Sequence, residues 1–477
     1  MLFNSYTFLI FLAVVLPVSR VLSNWTARKG FLVAVSYLFY AAWNPPFVLL
    51  LWFSTVVDWY LARAIYHAAH PGRRKGLLGV SLLINLGLLG YFKYGGFLLD
   101  NFTALMHGLG VVYQPPPFSI ILPVGISFYT FQTLSYTIDI YRGKFAPWHS
   151  FLDYALYVSF FPQLVAGPIV RAHDFLPQCV EPKLGSARQV GWGLSLLVLG
   201  LFYKVVIADR IMAEVVEAVY DAAALPNFAE AWTGTLAFAI QIYADFAGYS
   251  LCAIGVGLCF GFVLPDNFRF PLAAVGFADF WRRWHITLST WLGSYLYIPL
   301  GGNRKGTLNT YRNLVITMLL GGLWHGASWL FVLWGGLHAF YLVVERLIQG
   351  QAWARHRLWQ VPPVQFGLAL LTFTLGCFTR VFFRAPHLER ALTTLKMMLG
   401  AGWHMQPGIE IARRDYLMVL ALLAAFLLFE WYMRDKSYEW LAAQMPWWAR
   451  SAIMAVLLFA VVISLPKGDH AFIYFQF

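Results

Sequence analysis

His325 is the residue whose position most clearly suggests chemistry. It lies in the sequence Gly-Gly-Leu-Trp-His-Gly-Ala, inside an apolar run from 314 to 344 that has no Asp, Glu, Lys or Arg. A polar group at the depth of membrane hydrocarbon costs roughly a few kcal/mol, so an imidazole there is a candidate functional group. As a neutral base it can accept a proton from an attacking hydroxyl. The alternative is a structural histidine that is hydrogen-bonded between two helices.

A second group of residues suited to binding and catalysis lies about forty positions earlier. In the sequence Asp-Phe-Trp-Arg-Arg-Trp-His, Arg282 and Arg283 stand beside Trp284 and just before His285. Two adjacent guanidinium groups can bind a phosphate-bearing ligand while indole rings cover its apolar parts. The alternative is an anchor on anionic lipid headgroups. Asn303, in the basic loop that follows, is a further candidate for substrate binding.

Polar residues also recur along one predicted helix. Gln241, Asp245 and Tyr249 stand four positions apart and therefore share a helix face. A carboxylate within a membrane span normally faces a bundle interior or a wet cavity, so these side chains are candidate substrate contacts. A stripe of hydrogen bonds between helices is the alternative. Asp58 lies near the end of another predicted span, where a solvated or snorkelling carboxylate is expected.

His338 is a second histidine on the run that contains His325. In an unbroken helix their separation of 13 residues corresponds to a rotation of roughly 220°, so the two rings would face apart. A packing role is therefore predicted for His338, unless Gly335 and Gly336 break the helix.

The composition predicts an all-α, polytopic membrane protein. Only 12% of the 477 residues are charged and 60% are hydrophobic, whereas a soluble domain has about 25% charged residues. We expect on the order of a dozen apolar segments, several of them too short to cross a membrane alone. The first of them is interpreted as a retained span, because no small-residue cleavage pattern follows it. The segments begin near residues 7, 31, 47, 77, 118, 151, 190, 232, 314, 367, 416 and 452.

The distribution of charge predicts an orientation rather than a nucleic-acid partner. The net charge is +12, but the basic residues lie in short loops between apolar runs. The positive-inside rule then places the segments 20–29, 63–75, 142–150 and 269–305 in the cytoplasm, and 99–117 and 218–231 outside. The four cysteines have no Cys-x-x-Cys spacing and no histidine pair has metal-ligand spacing. Neither a metal site nor a bound cofactor is therefore predicted.

The organisation of the chain predicts one membrane domain over 1–477. No polar linker divides the sequence, and no inverted repeat of the kind found in secondary transporters is visible. The stretch 264–311 differs from the rest because it is long, basic and rich in Trp and Tyr. Its amphipathic pattern predicts short helices at the cytoplasmic interface, with the aromatic rings at the level of the lipid headgroups.

Taken together, these motifs resemble the membrane-bound O-acyltransferase superfamily. Within it they are similar to the bacterial branch that acts in alginate O-acetylation and in D-alanyl transfer to teichoic acid. The chain has Ala247 where the family often has Ser in Asp-Phe-Ser-Gly-Tyr. The matching segments are 122–132, 135–136, 139–142, 160–163, 166–168, Lys204 with 208–209, 241–249, 279–285, 297–304, 323–326 and 472–477.

The resemblance implies transfer of an acyl group to a hydroxyl, with the invariant family histidine falling on His325 and a second functional position on His285. It also implies a ring of tilted helices around a thin central partition, where donor and acceptor meet. A donor to the developing oxyanion is needed as well, for which Trp324, His285 or a backbone N–H at the glycine-rich turn is a candidate.

The predicted function is therefore O-acetylation of an exported, alginate-like polysaccharide by a multi-pass protein of the bacterial inner membrane. Acetyl-CoA is the expected donor substrate, and the expected partners are membrane lipid and either a periplasmic acetyltransferase protein or the polysaccharide itself. D-alanyl transfer, peptidoglycan O-acetylation and lipid acylation use the same mechanism and stay open. A proton-coupled transporter that relays protons through Asp245 and His325 is the alternative from another class.

Overall fold

The protein is all-helical in the part that can be described. The computed structural model describes residues 1–118, 120–401, 403–405, 408–409 and 411–465. None of these residues lies in a β-strand, so the predicted all-α class is confirmed. The motif at 472–477 lies outside the described residues.

The residues group into two compact units. The first contains Met1–Leu197 and Cys252–Pro265, and the second contains Val198–Leu251 and the chain from Asp266 onward. The prediction of a single membrane domain is not tested by this grouping and stays a prediction. The helices that begin in the first unit are α1 (Tyr6–Val21), α2 (Trp25–Ala41), α3 (Phe47–His67), α4 (Pro71–Leu89), α5 (Gly95–Gly108), α6 (Ile126–Tyr141), α7 (Phe151–Ser159), α8 (Phe161–Leu164), α9 (Ala172–Phe175) and α10 (Ala187–Leu201).

The second unit contains the longest helix and the residues predicted to do chemistry. A π-helical segment, Phe202–Met212, follows α10. The later helices are α11 (Ala213–Tyr220), α12 (Phe228–Cys259), α13 (Phe277–Arg283), α14 (Ile286–Leu292), α15 (Thr307–His325), α16 (Trp329–Gln349), α17 (Pro362–Arg384), α18 (Leu388–Lys396), α19 (Arg413–Met433), α20 (Tyr438–Gln444) and α21 (Trp447–Ser464).

Eight helical segments within the described ranges are long and apolar enough to cross a membrane, which agrees with the predicted multi-pass protein. A spanning helix needs about 20 predominantly apolar residues, and each of these segments is at least 18 residues long. They are Phe47–His67, Pro71–Gly108, Ala187–Tyr220, Phe228–Cys259, Trp329–Gln349, Pro362–Arg384, Arg413–Met433 and Trp447–Ser464.

Asp58, in the first unit, is fully buried rather than solvated at a span end. Its carboxylate accepts hydrogen bonds from Ser81 Oγ at 2.6 Å and from Asn85 Nδ2 at 2.7 Å. Both donors lie on α4, whereas Asp58 lies on α3. The expectation of a snorkelling side chain was therefore wrong, because neighbouring helices supply the polar partners that a buried carboxylate needs.

The helices α15 and α16 form a hairpin whose backbones touch. The Cα atom of Gly335 lies 3.2 Å from the position that a Cβ on Gly322 would occupy, and such a Cβ would overlap the carbonyl oxygen of Phe331. A Cβ on Gly335 would likewise overlap the carbonyl oxygen of Met318. Small residues at a crossing allow helices to approach closely enough for dense van der Waals packing. Gly322 and Gly335 therefore form a packing contact between the helices, and α16 continues through Gly335 and Gly336 without a break.

The break in the apolar run lies at Gly326 instead. There the backbone becomes extended (φ −160°, ψ 151°), and α15 ends at His325. The next helix begins after Ser328, whose hydroxyl accepts a hydrogen bond from the N–H of Leu330 at 3.3 Å. A serine N-cap satisfies one of the otherwise unpaired N–H groups of a new helix. The assumption of one unbroken helix was therefore wrong.

The predicted interfacial stretch does form short helices, α13 and α14, but its aromatic residues are more buried than expected. Trp284, Trp291 and Tyr295 are buried within the protein. Rings at headgroup level were predicted from sequence alone. These three rings pack within the protein, where large aromatic side chains contribute most because water is removed from them. Their level relative to the lipid headgroups stays a prediction.

We predict that Gly335→Ala destabilises the protein, because the new methyl group overlaps a backbone carbonyl that cannot move without separating α15 from α16. Overpacking of this kind costs about 1–3 kcal/mol. The measurement is the midpoint of thermal unfolding of the purified full-length protein in detergent. Gly336→Ala is the matched control, since a Cβ there meets only a leucine methyl at 3.5 Å. Equal midpoints for the two variants would contradict the packing argument.

Candidate active site

His325 is the last residue of α15 and is held among aromatic rings. Only 2% of its surface is exposed. Its ring centroid lies 4.9 Å from that of Trp334 on α16 and 5.5 Å from that of Phe383 on α17, both in edge-to-face geometry. Edge-to-face contacts of this length are favourable and directional. Three helices of the same unit therefore fix the position of the imidazole.

His325 and His338 pack against the same side chain, although the prediction for an unbroken helix had the two rings facing apart. The ring centroid of His338 lies 4.7 Å from that of Trp334, which also contacts His325. The prediction failed because the chain breaks at Gly326, so the two histidines belong to different helices. Trp334 is consequently shared by both imidazoles.

His285 stands in an unusual backbone conformation between α13 and α14. Its φ of 43° and ψ of 54° are left-handed, a region that non-glycine residues rarely adopt and that costs about 1–3 kcal/mol. Two backbone hydrogen bonds support the turn: Ile286 N–H donates to the carbonyl of Asn267 at 2.9 Å, and Arg269 N–H to the carbonyl of Arg283 at 2.9 Å. Strain of this kind is typical of functional sites.

The amide of Asn267 sets the tautomer of His285. Its Oδ1 accepts a hydrogen bond from Thr287 Oγ1 at 2.9 Å, while its Nδ2 donates to Ser250 Oγ at 3.2 Å. This orientation leaves Oδ1 facing His285 Nδ1 at 3.0 Å. Because a carbonyl oxygen can only accept, Nδ1 must carry the hydrogen and Nε2 the lone pair.

His285 is also neutral. No part of the residue is exposed, and burial lowers the pKa of its imidazole to about 3. Desolvation disfavours the charged form of a base, which is the physical cause of this shift. At neutral pH the ring is therefore an uncharged group with one defined acceptor nitrogen.

Trp324 connects the two predicted catalytic histidines. Its ring centroid lies 5.9 Å from that of His285 and 5.1 Å from that of His325. All three side chains are buried. The structure thus brings His285, Trp324 and His325 into one cluster. Their catalytic roles stay a prediction.

The predicted stripe on α12 has an ionic partner that the sequence did not identify. Asp245 forms a buried ion pair with Lys204, and Lys204 Nζ lies 2.8 Å from Asp209 Oδ1. A Cβ on Gly248 would approach the backbone N of Lys204 to 2.9 Å, so glycine permits the close contact that this pair needs. Gln241 is half-buried and Tyr249 is buried on the same helix. The substrate-binding role of these three α12 residues stays a prediction.

The two adjacent arginines have different surroundings. The side chain of Arg282 is 74% exposed. Arg283 is buried, and its Nε donates to both carboxylate oxygens of Asp279 at 3.0 Å. Burial alone would raise the pKa of Asp279, but a hydrogen bond from the backbone N–H of Val275 and the nearby Arg283 guanidinium hold that pKa below its usual range.

Arg283 belongs to an ion pair packed within the protein, whereas Arg282 is a surface cation. Its Nη1 also donates to the carbonyl of Arg434 at 2.7 Å, so this guanidinium is occupied by contacts within the protein. Trp284 stacks on Phe280 at 5.5 Å between ring centroids. Asn303 is exposed in the turn before α15. Donor binding by Arg282, Arg283, Trp284 and Asn303 stays a prediction.

A small, partly open cavity lies beside this cluster. It is lined by both Trp334 and Phe383, which also contact His325, and by His338, Thr379 and Arg380. Sequence reasoning missed Thr379 and Arg380. The sequence signal that could have identified them was Arg380 itself, a charged residue within the apolar run that precedes residue 384.

No group of three or more His, Cys, Asp or Glu side chains within the described ranges is arranged to hold a metal ion. The four cysteines are buried and free. The side chains that surround the cluster are aromatic and neutral, an arrangement suited to acid–base chemistry on an uncharged imidazole.

Comparison with known proteins gives the same family that the motifs resemble. Residues 144–384 match the MBOAT, or membrane-bound O-acyltransferase, family. A probable alginate O-acetylase from Pseudomonas putida is 39% identical over 90% of this chain and 86% of its own length. A peptidoglycan O-acetyltransferase from Helicobacter pylori is 36% identical over 94% of this chain and 91% of its own length. A teichoic acid D-alanyltransferase from Bacillus subtilis is 26% identical over 55% of this chain and 69% of its own length.

We predict that His285→Gln weakens the acid sensitivity of the fold. Because burial lowers the pKa of His285 to about 3, the unfolded chain binds a proton on this ring below about pH 6.5 while the folded chain does not. The free energy of unfolding therefore falls as the pH drops from about 6.5 towards 3, by up to about 1.4 kcal/mol per pH unit for this one proton. The glutamine variant lacks this contribution.

The measurement is the thermal unfolding midpoint between pH 7 and pH 4 for the wild type and the variant. His107→Gln, at an exposed position on α5, is the matched control and should follow the wild type. Parallel pH curves for the wild type and His285→Gln would contradict the assignment of a neutral, buried ring.

Proposed function

The chain belongs to the membrane-bound O-acyltransferase family, and on that premise we propose that it is an O-acetyltransferase of a bacterial inner membrane. Its donor is cytoplasmic acetyl-CoA, and its acceptor is a hydroxyl group of an exported, alginate-like polysaccharide. The choice of an acetyl group is supported by relatives that match at least nine-tenths of this chain and are named as O-acetylases or O-acetyltransferases. The D-alanyltransferase match covers 55% of the chain at lower identity.

The single observation that carries the proposal is the cluster of His285, Trp324 and His325, buried within aromatic walls. We assign the role of general base to His325. A proton acceptor in a water-poor site can activate a hydroxyl without competition from hydrolysis, and such catalysis contributes typically 10²–10⁴-fold to the rate.

The proposed step is a direct transfer. His325 accepts the proton of the acceptor hydroxyl while its oxygen forms a bond to the thioester carbonyl carbon. The carbon–sulfur bond then breaks, and the proton held by the imidazole passes to the departing thiolate, so that the ester and free CoA are the products. Charge develops on the carbonyl oxygen during attack and needs a hydrogen-bond donor.

The tautomer of His285 limits which group is that donor. Its Nδ1–H points at Asn267, and its Nε2 carries a lone pair, so the neutral ring has no second N–H to offer. We therefore assign oxyanion stabilisation to the indole N–H of Trp324 or to a backbone N–H at the Gly326 turn. His285 is then a positioning residue that fixes the indole through ring contact.

Recognition of the donor is assigned to the exposed cation. Arg282 offers a guanidinium that is largely open to solvent, which suits the phosphates of acetyl-CoA as they approach from the cytoplasm. A periplasmic partner protein is proposed to hold the polysaccharide while its hydroxyl group is acetylated at this site. A proton relay through Asp245 is disfavoured because that carboxylate is already ion-paired with Lys204.

We predict that His325→Ala reduces O-acetylation at least 100-fold while the protein still inserts into the membrane, since the general base is lost. The measurement is ester-linked acetate on the exported polysaccharide of cells that express the variant at wild-type level. His107→Ala is the matched control and should acetylate normally. Full O-acetylation by His325→Ala would refute the assignment of the base.

We also predict that Arg282→Glu raises KM for acetyl-CoA on the order of ten-fold with little change in kcat, because reversing an exposed charge weakens attraction to the phosphates. Radiolabelled acetyl-CoA and a long-chain acyl-CoA are compared as donors for the purified protein. Arg210→Glu, another exposed arginine, is the control and should leave KM unchanged. An unaltered KM in Arg282→Glu, or faster transfer from the long-chain donor, would count against this assignment.

A further inference from the structure

The cavity beside the cluster contains a positive charge that the proposed mechanism does not use. Arg380 lies on α17, only 8% of its surface is exposed, and its side chain lines the cavity. Its Nη1 lies 4.0 Å from Cys377 Sγ, and its guanidinium carbon lies 5.5 Å from the centre of the Phe373 ring. Within the described part of the chain, no carboxylate lies within ion-pairing distance of it.

Two neighbouring arginines show how the same fold stabilises a guanidinium by pairing it with a carboxylate. Arg384, one turn later on α17, pairs with Asp221 at 2.7 Å. Arg283 is buried and pairs with Asp279. A buried charge without an opposite charge costs several kcal/mol, so buried arginines are normally paired. Arg380 therefore differs from both in having its charge directed to a cavity.

A glycine makes room for this guanidinium. A Cβ on Gly376 would lie 2.9 Å from Arg380 Nη1, so any larger residue would displace the charged group. The hydroxyl of Thr379 donates to the carbonyl of Gly376 at 2.8 Å and therefore accepts from His338 Nε2 at 3.2 Å. Arg380 is the one arginine or lysine among the residues that line the cavity.

We propose that Arg380 anchors a binding site for a small amphiphilic monocarboxylate. The planar guanidinium matches a carboxylate through two parallel hydrogen bonds, and the rings of Phe277, Phe280, Trp284 and Phe373 offer an apolar wall for the rest of the ligand. A single cation neutralises a single negative charge. The nucleotide part of acetyl-CoA carries several, so it does not fit this cavity.

The site is connected to the proposed chemistry through two rings. Trp334 and Phe383 line the cavity on one side and contact His325 on the other. A bound carboxylate is therefore one ring layer away from the proposed base, and its occupancy restricts the movement of both rings. This coupling to acyl transfer rests on the proposed function, whereas binding itself does not.

The test measures binding of 4-phenylbutyrate to the full-length protein in neutral detergent, by tryptophan fluorescence and by the shift of the thermal unfolding midpoint. We expect saturable binding to the wild type, at least ten-fold weaker binding to Arg380→Gln, and at least ten-fold weaker binding of uncharged 4-phenylbutanol. Arg384→Gln is the matched control and should bind like the wild type, because its side chain does not line the cavity.

A second variant keeps the test decisive if Arg380→Gln fails to fold. Gly376→Ala retains the charge but displaces the guanidinium, and it should also weaken binding at least ten-fold. Equal binding by the wild type and either folded variant, or no binding by folded wild type, overturns the proposal. Tighter binding of phenyl phosphate than of the carboxylate overturns the choice of ligand class. Acetyl transfer is not needed for any of these readings, so an inactive protein that binds would still support the site.

Discussion

The close backbone contact between α15 and α16 is the constraint on which the candidate site depends. Gly322 and Gly335 allow the two helices to touch, and the short connection after Gly326 then leaves His325 at a helix end opposite Trp334. Without a hydrophobic driving force between helices in lipid, contact of this kind is a main source of helix association. The imidazole is thus positioned by packing on every side.

Charged groups in the second unit show two distinct solutions to the same energetic problem. Lys204 is buried between Asp209 and Asp245, so that the charges are balanced inside the protein. Arg380 instead faces an aromatic cavity without a described acidic partner. Because pairing removes most of the penalty for burying a charge, the first arrangement holds helices together. The second leaves a positive potential where a small molecule can enter.

Composition predicted the all-α membrane fold, and the resemblance to the acyltransferase family singled out His285 and His325, which both contact Trp324 in the structure. Sequence patterns did not predict the break at Gly326, since no proline or polar run marks it and the apolar pattern continues into α16. Nor did they identify Lys204 as the partner of Asp245. Contacts between residues forty positions apart are set by tertiary packing, and local periodicity contains no information about them.

Residue 285 meets two requirements: its backbone is left-handed, and its side chain supplies an imidazole. The turn alone would be served best by glycine or asparagine, which reach this conformation with little strain. A β-branched side chain would be strained by these torsion angles. Homologues that have abandoned the imidazole should therefore favour glycine or asparagine here, and a valine would signal that the segment following Asn267 has been rebuilt.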